Sequence, residues 1–203
     1  MRAIPRTTAA LAASAALLLA GCSQPTSGAP TPDGSPSAAA PSSSGLPALS
    51  AEPYRSKPCE LLPATLPSSL GYSQAPTAET TGDRATYVTG QTCSWNMAGA
   101  SKAIQVQIFP ENQNADSPGL TSTFSKFEKG LIAYADRTTV SGYDAVYADL
   151  TDERPRGNCP LLVAVSATET VGTRATGYSN AQEACDLAKQ LAEAAVKTLQ
   201  GGS

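Results

Sequence analysis

The chain has 203 residues, a formal net charge of −3 and no histidine, with 41% apolar, 15% charged and 5% aromatic side chains. That length holds one or at most two domains. The missing imidazole removes the usual general base near neutral pH, the Ser-His and Cys-His nucleophile pairs and a common metal ligand, and with no basic run longer than two residues a nucleic-acid partner is excluded.

The N-terminus opens with Arg2 and Arg6, followed by an almost pure Ala/Leu stretch from Ala9 to Ala20. Twelve or so apolar residues are too few to span a hydrocarbon core, which needs about 20. They fit the hydrophobic region of a secretory signal sequence, so residues 1–21 are set aside from reasoning about the fold. The boundary Leu19-Ala20-Gly21-Cys22 resembles a bacterial lipobox. That resemblance implies diacylglyceryl transfer to the Cys22 sulfur, a nucleophilic acceptor, and cleavage just before it. Two acyl chains give stable anchoring where one gives only marginal binding. Cleavage leaves 12 basic against 17 acidic side chains, a net charge of −5, so basic adhesion to anionic lipid is not the means of attachment.

Residues 22–55 form the expected tether. Between residues 23 and 50 there are six Pro, eight Ser and a single charged residue, Asp33. This composition cannot bury enough apolar surface to offset the entropy of ordering and predicts disorder with polyproline II character. A flexible chain of that length spans about 30 Å.

From residue 56 to residue 203 the pattern is globular. KPCELLPATLPSSLGY starts with a short helical turn, and Pro63 and Pro67 confine anything helical to short pieces. ATYVTGQTCSWNM reads as two short strands around Thr89-Gly90. In KAIQVQIF, Ile104, Val106 and Ile108 alternate with Gln105 and Gln107, the pattern of a half-buried antiparallel strand.

Ser117-Pro118 reads as an N-cap with proline at the first helical position. Leu120, Phe124, Phe127 and Leu131 then form one helical stripe, expected to pack in the core. Strands follow at YDAVYADL and PLLVAVSAT, the second apolar enough to lie centrally in a sheet. The clearest element is the last. Asn180 and Glu183 form a capping-box-like pair, Ala184, Ala188, Leu191, Ala195 and Leu199 line one face, and Gly201 follows as a stop. The expectation is α+β: a single compact domain, mostly antiparallel sheet, packed by a middle helix and a C-terminal helix.

Four cysteines remain in this part, Cys59, Cys93, Cys159 and Cys185. An even number in an exported domain argues for two disulfides, for which three pairings are possible. Their wide spacing, without any Cys-x-x-Cys knuckle, argues against zinc. Loop-closure entropy, about 3.5 to 4 kcal/mol for a moderate loop, does not choose among the pairings.

Several features come in a fixed order. After the lipobox and the Ser/Pro tether stand Pro-Cys-x-Leu-Leu at 58–62 and Cys-x-Trp at 93–95. Gly142-Tyr143-Asp144-Ala145-Val146, Cys159 ahead of a strand, and Cys185 in the final helix complete the set. Together they resemble the actinobacterial lipoproteins of domain-of-unknown-function family 3558. The resemblance covers roughly residues 56–200. It implies a compact α+β domain, exported and lipid-anchored, with disulfides Cys59–Cys93 and Cys159–Cys185. It implies no catalytic residues. That family often carries Asp-Pro-Cys where this chain has Lys57-Pro58-Cys59, so a cap supplied by that Asp is replaced or lost here.

Asp149, Asp152 and Glu153 make the densest acidic cluster, with Arg154 and Arg156 beside it. Paired carboxylates serve glycoside hydrolysis, but a solvated connection between two strands accounts for the same residues. No calcium-loop pattern is present. Trp95 could stack on sugars, yet its place two residues after Cys93 on a strand favours the core. No Ser lies in a Gly-x-Ser-x-Gly elbow, and Ser122 stands four rather than three residues before Lys126, the wrong spacing for Ser-x-x-Lys. The sequence therefore favours a lipid-anchored envelope lipoprotein on the outer face of the cell membrane. It would be a non-enzymatic binding or accessory module for an envelope protein or glycan, without cofactor or metal. A carboxylate-dependent hydrolase acting on cell-wall material through Asp149, Asp152 and Glu153 is the alternative.

Overall fold

A computed structural model describes residues 45–80, 90–109 and 120–202. The signal sequence, Cys22 and the tether up to residue 44, the first of the two strands expected around Gly90, and the Ser117-Pro118 cap lie outside the described residues. Strands β1 (Thr77–Glu79), β2 (Gln91–Asn96), β3 (Ala103–Phe109), β4 (Tyr134–Val140), β5 (Tyr143–Asp149), β6 (Cys159–Ala164) and β7 (Thr170–Thr176) form one sheet. Its order is β1-β2-β3-β7-β6-β5-β4 and every pairing is antiparallel. The helices are α1 (Thr65–Ser69), α2 (Thr121–Glu128) and α3 (Ala181–Leu199).

The main core lies on one face of the sheet. Ile104, Val106 and Ile108 point into it from β3 and are fully buried, as their alternation predicted. Helix α3 covers this face over β6 and β7 through Ala184, Ala188, Leu191 and Ala195, all fully buried. Asn180 caps the helix by accepting the Glu183 N–H at 2.9 Å. The box is not reciprocal, because the Glu183 carboxylate takes the Ser179 hydroxyl instead. Thr173 of β7 donates its hydroxyl to the Ala188 carbonyl at 2.7 Å, so this buried hydroxyl between sheet and helix is satisfied by the helix itself.

Both disulfides pair as the family resemblance implied. Cys59–Cys93 fixes the Pro58–Leu61 turn to β2, and Cys159–Cys185 fixes the start of β6 to the first turn of α3. Lys57 stands at the cap of the Pro58–Leu61 turn without capping it, and its ammonium pairs with Glu60 instead.

Two expectations need correction. The packed chain begins before residue 56. Leu46 and Leu49 pack on the core and Ala51 is fully buried. The Leu49 N–H donates to the Val165 carbonyl at 2.8 Å, the Tyr143 hydroxyl to the Pro47 carbonyl at 2.9 Å, and the Ala51 N–H to the Glu169 carboxylate at 3.3 Å. Three apolar residues and these partners tie residues 46–51 down, which Pro/Ser counting hid.

The stripe on the middle helix is the second. Leu120 is buried and Phe124 packs partly, on a small cluster with Val146, Ala148 and Ala164 on the sheet's other face. Phe127 and Leu131 remain 45% and 61% exposed. The helix ends at Glu128 and the chain turns at Gly130, so only the first half of the stripe reaches the sheet. Among the described residues no helix is long and apolar enough to cross a membrane.

Candidate functional site

Because α3 covers one face of the sheet and α2 only part of the other, Ser94 of β2, Gln105 and Gln107 of β3 and Arg174 of β7 remain half-exposed on the second face. Register sets what stands there. Thr77 lies opposite Ser94, Ser94 opposite Gln105, Gln105 opposite Arg174, and Arg174 opposite Pro160. One line of polar side chains thus runs across four strands to a proline on a fifth. Gln105 Nε2 donates to Ser94 Oγ at 3.3 Å, and Arg174 Nη1 meets Asp149 Oδ2 at 2.9 Å.

Where this line approaches α2 the surface sinks into a cleft of about 260 Å³, lined among others by Gln105, Phe109, Lys126, Leu150, Leu162 and Arg174. Gly172 makes room at its floor. A Cβ there would fall 2.9 Å from Phe109 Cε2 and 3.3 Å from Leu162 Cδ2, so the Phe109 ring lies where a side chain on β7 would stand. A second depression, about 320 Å³, shares Gln105 and Arg174 with the first and reaches Thr77, Asn96 and Thr176. The two form a single trough. Of the three large hydrophobics that are exposed among the described residues, Leu150, 72% exposed, lines the cleft, whereas Phe127 and Leu131 do not.

The structure divides the acidic cluster. Asp149 belongs to the cleft, paired with Arg174. Asp152 is gripped by Arg154 through Nε and Nη2, at 2.8 and 2.7 Å, and these hydrogen bonds hold its carboxyl below the usual carboxylate range. Arg154 also pairs with Asp136 and lies over the Tyr134 ring, 3.7 Å from its centroid. Glu153 pairs with Arg156 at 3.0 Å. Each of the three carboxylates therefore faces a guanidinium rather than another carboxylate. Among the described residues no group of three or more Cys, Asp or Glu could hold a metal ion. Tyr134 is buried with its hydroxyl unpartnered, and burial pushes that hydroxyl up to about 12.

Trp95 is a core residue, 5% exposed, as its position after Cys93 predicted. Its edge lines another cavity, about 690 Å³, together with Tyr54, Cys59, Leu62, Pro67 and Thr198. Sequence reasoning missed Arg174 and Ser94 as surface partners. Gln105 was legible as the polar side of β3, but the row it belongs to comes from strand pairing across 11 and 69 residues of chain.

An antiparallel sheet with one helix-covered face, two disulfide clips and an open trough on the other face defines a small α+β domain. The chain belongs to the family described as "Protein of unknown function (DUF3558)", which matches residues 17–198. No curated protein and no solved structure matches the chain.

Proposed function

We propose that this protein is a lipid-anchored extracytoplasmic lipoprotein whose folded domain is a non-enzymatic binding module. A diacylglyceryl group on Cys22 holds it to the outer face of the cell membrane, and the trough on the uncovered sheet face meets the partner. The anchor rests on the lipobox resemblance and on a family match that begins at residue 17, ahead of Cys22. The observation that carries the binding role is the open cleft on the uncovered sheet face, which sets the exposed Leu150 beside the part-exposed Arg174–Asp149 pair. A cleft that joins apolar surface to a few polar groups fits an interaction site. Hydrolysis by the acidic cluster is disfavoured by the pairing of Asp149, Asp152 and Glu153 with arginines, since a general acid needs a carboxyl held above its usual range.

Two measurements test this reading. Cys22→Ser should move the protein from the membrane fraction to the soluble one, and a variant that stays in the membrane refutes the anchor. A photo-crosslinking residue placed at position 150 in intact cells should give discrete adducts that the same probe at position 193, on the exposed side of α3, does not. Equal adducts at both positions, or none at 150, refute the role of the cleft.

A further inference from the structure

The side chains of the trough identify the chemistry of its occupant, on the reading of the domain as a binding module. We infer that the outer face of the sheet binds a neutral polyhydroxylated chain, an oligosaccharide laid across the strands along the row Thr77, Ser94, Gln105, Arg174.

Charge argues first. Arg174 is neutralised by Asp149, the remaining groups of the row are hydroxyls and an amide, and the trough's two further charges, Lys126 in one depression and Glu79 in the other, are opposite in sign. A polyanion would meet the Asp149 carboxylate beside every contact with Arg174, and a polycation would meet the guanidinium. A neutral ligand meets neither penalty.

Donor and acceptor capacity argues next. A sugar hydroxyl both donates and accepts, and Ser94, Thr77 and Gln105 each do both, while Arg174 donates and Asp149 accepts. The ion pair is made through Nη1 of Arg174. A site of this kind discriminates by leaving its own polar groups unpaired when the hydroxyl is missing.

Spacing and shape agree. Neighbouring strands lie about 4.8 Å apart, so the row repeats a polar group at that step over about 14 Å from β1 to β7. This step is close to the advance of one pyranose ring along an extended chain. Beside the row, where Gly172 stands two residues along β7 from Arg174, the Phe109 ring packs over that glycine in the cleft lining and offers an apolar surface to the C–H face of a sugar.

The test uses the mature protein labelled for NMR, with cellopentaose and N-acetylchitopentaose as neutral probes and, in parallel, vesicles rich in phosphatidylglycerol and a hexapeptide of mixed charge. A pentasaccharide should shift the Gln105 side-chain amide and the backbone amides of residues 92–96, 103–109 and 170–176. Gln105→Leu and Ser94→Val should each weaken binding about tenfold, while Thr198→Val at the Trp95 cavity leaves it unchanged. Thermal melts confirm that the variants are folded. Arg174→Met, whose loss also frees Asp149, is read only beside them. Shifts on this face from vesicles or peptide alone overturn the oligosaccharide and leave the binding module standing. Sugar-induced shifts confined to the Trp95 cavity overturn the trough as the sugar's site. A face that no probe moves overturns both.

Discussion

Glu169 accepts a hydrogen bond from the Arg55 guanidinium at 3.0 Å across 114 residues of sequence, and its second carboxylate oxygen accepts the Ala51 N–H. Glu169 is almost wholly buried and Arg55 about a third exposed. The pair fastens the first packed residues to the turn between β6 and β7. Glu169→Ala removes both acceptors, leaving the buried Ala51 amide without a partner and the part-buried Arg55 guanidinium with the exposed Glu52 carboxylate at 2.8 Å. We expect a loss of about 2–3 kcal/mol in chemical denaturation, with new proteolytic cleavage between residues 45 and 57. Unchanged protection of that stretch would refute the fastening.

Tyr134 points the other way. Its hydroxyl is buried without a hydrogen-bond partner, while Arg154 lies over its ring. Tyr134→Phe keeps the ring and the cation–π contact and discards an unsatisfied polar group, so stability should rise by about 1 kcal/mol. A melting temperature below that of the parent protein would show that the hydroxyl has a partner after all.

The Cys159–Cys185 bridge closes a loop of 26 residues between β6 and α3. Replacing both cysteines with alanine should cost about 3–4 kcal/mol. The loss should fall on the docking of α3, seen as faster amide exchange along residues 184–192 than along β4. Uniform acceleration across the sheet would place the bridge's effect elsewhere.

Asp152 sets an acid dependence. Hydrogen bonds from Arg154 depress its carboxyl in the folded protein. A depressed folded value means that its contribution is fully present above the ordinary carboxylate pKa and is lost as pH falls through the lower folded value. Asp152→Asn should therefore be less stable than the parent at neutral pH by the modest amount an exposed ion pair gives. The two melting curves should converge as pH falls below the ordinary carboxylate range. A gap that is constant with pH would show that Arg154 does not hold the charge.

Strands β3, β5 and β6 and helix α3 were legible in the sequence because each buries a full apolar face of its own. Strands β4 and β7 were not. Along Tyr134–Val140 only the two end residues are buried, so an edge strand leaves no alternation to read. Along Thr170–Thr176 the buried positions include Thr170, Gly172 and Thr173, whose burial comes from neighbours and, for Thr173, from a hydrogen bond to α3. The acidic cluster was visible as a cluster, but its division was not. The pairing of Asp149 with Arg174, 25 residues further along the chain, depends on β5 and β7 flanking β6. The two disulfides followed from the family resemblance, not from the spacing of the cysteines.

The first packed residues have a mechanical consequence. Leu46 lies over Gly142 at the tip of the β4–β5 hairpin, and the bonds from residues 47, 49 and 51 reach Tyr143 at that tip and the turn between β6 and β7. A pull on the chain ahead of residue 45 would meet these few bonds at two hairpin tips before it reached the rungs joining β2, β3 and β7. The strap would then peel first, and the row of Ser94, Gln105 and Arg174 would keep its shape.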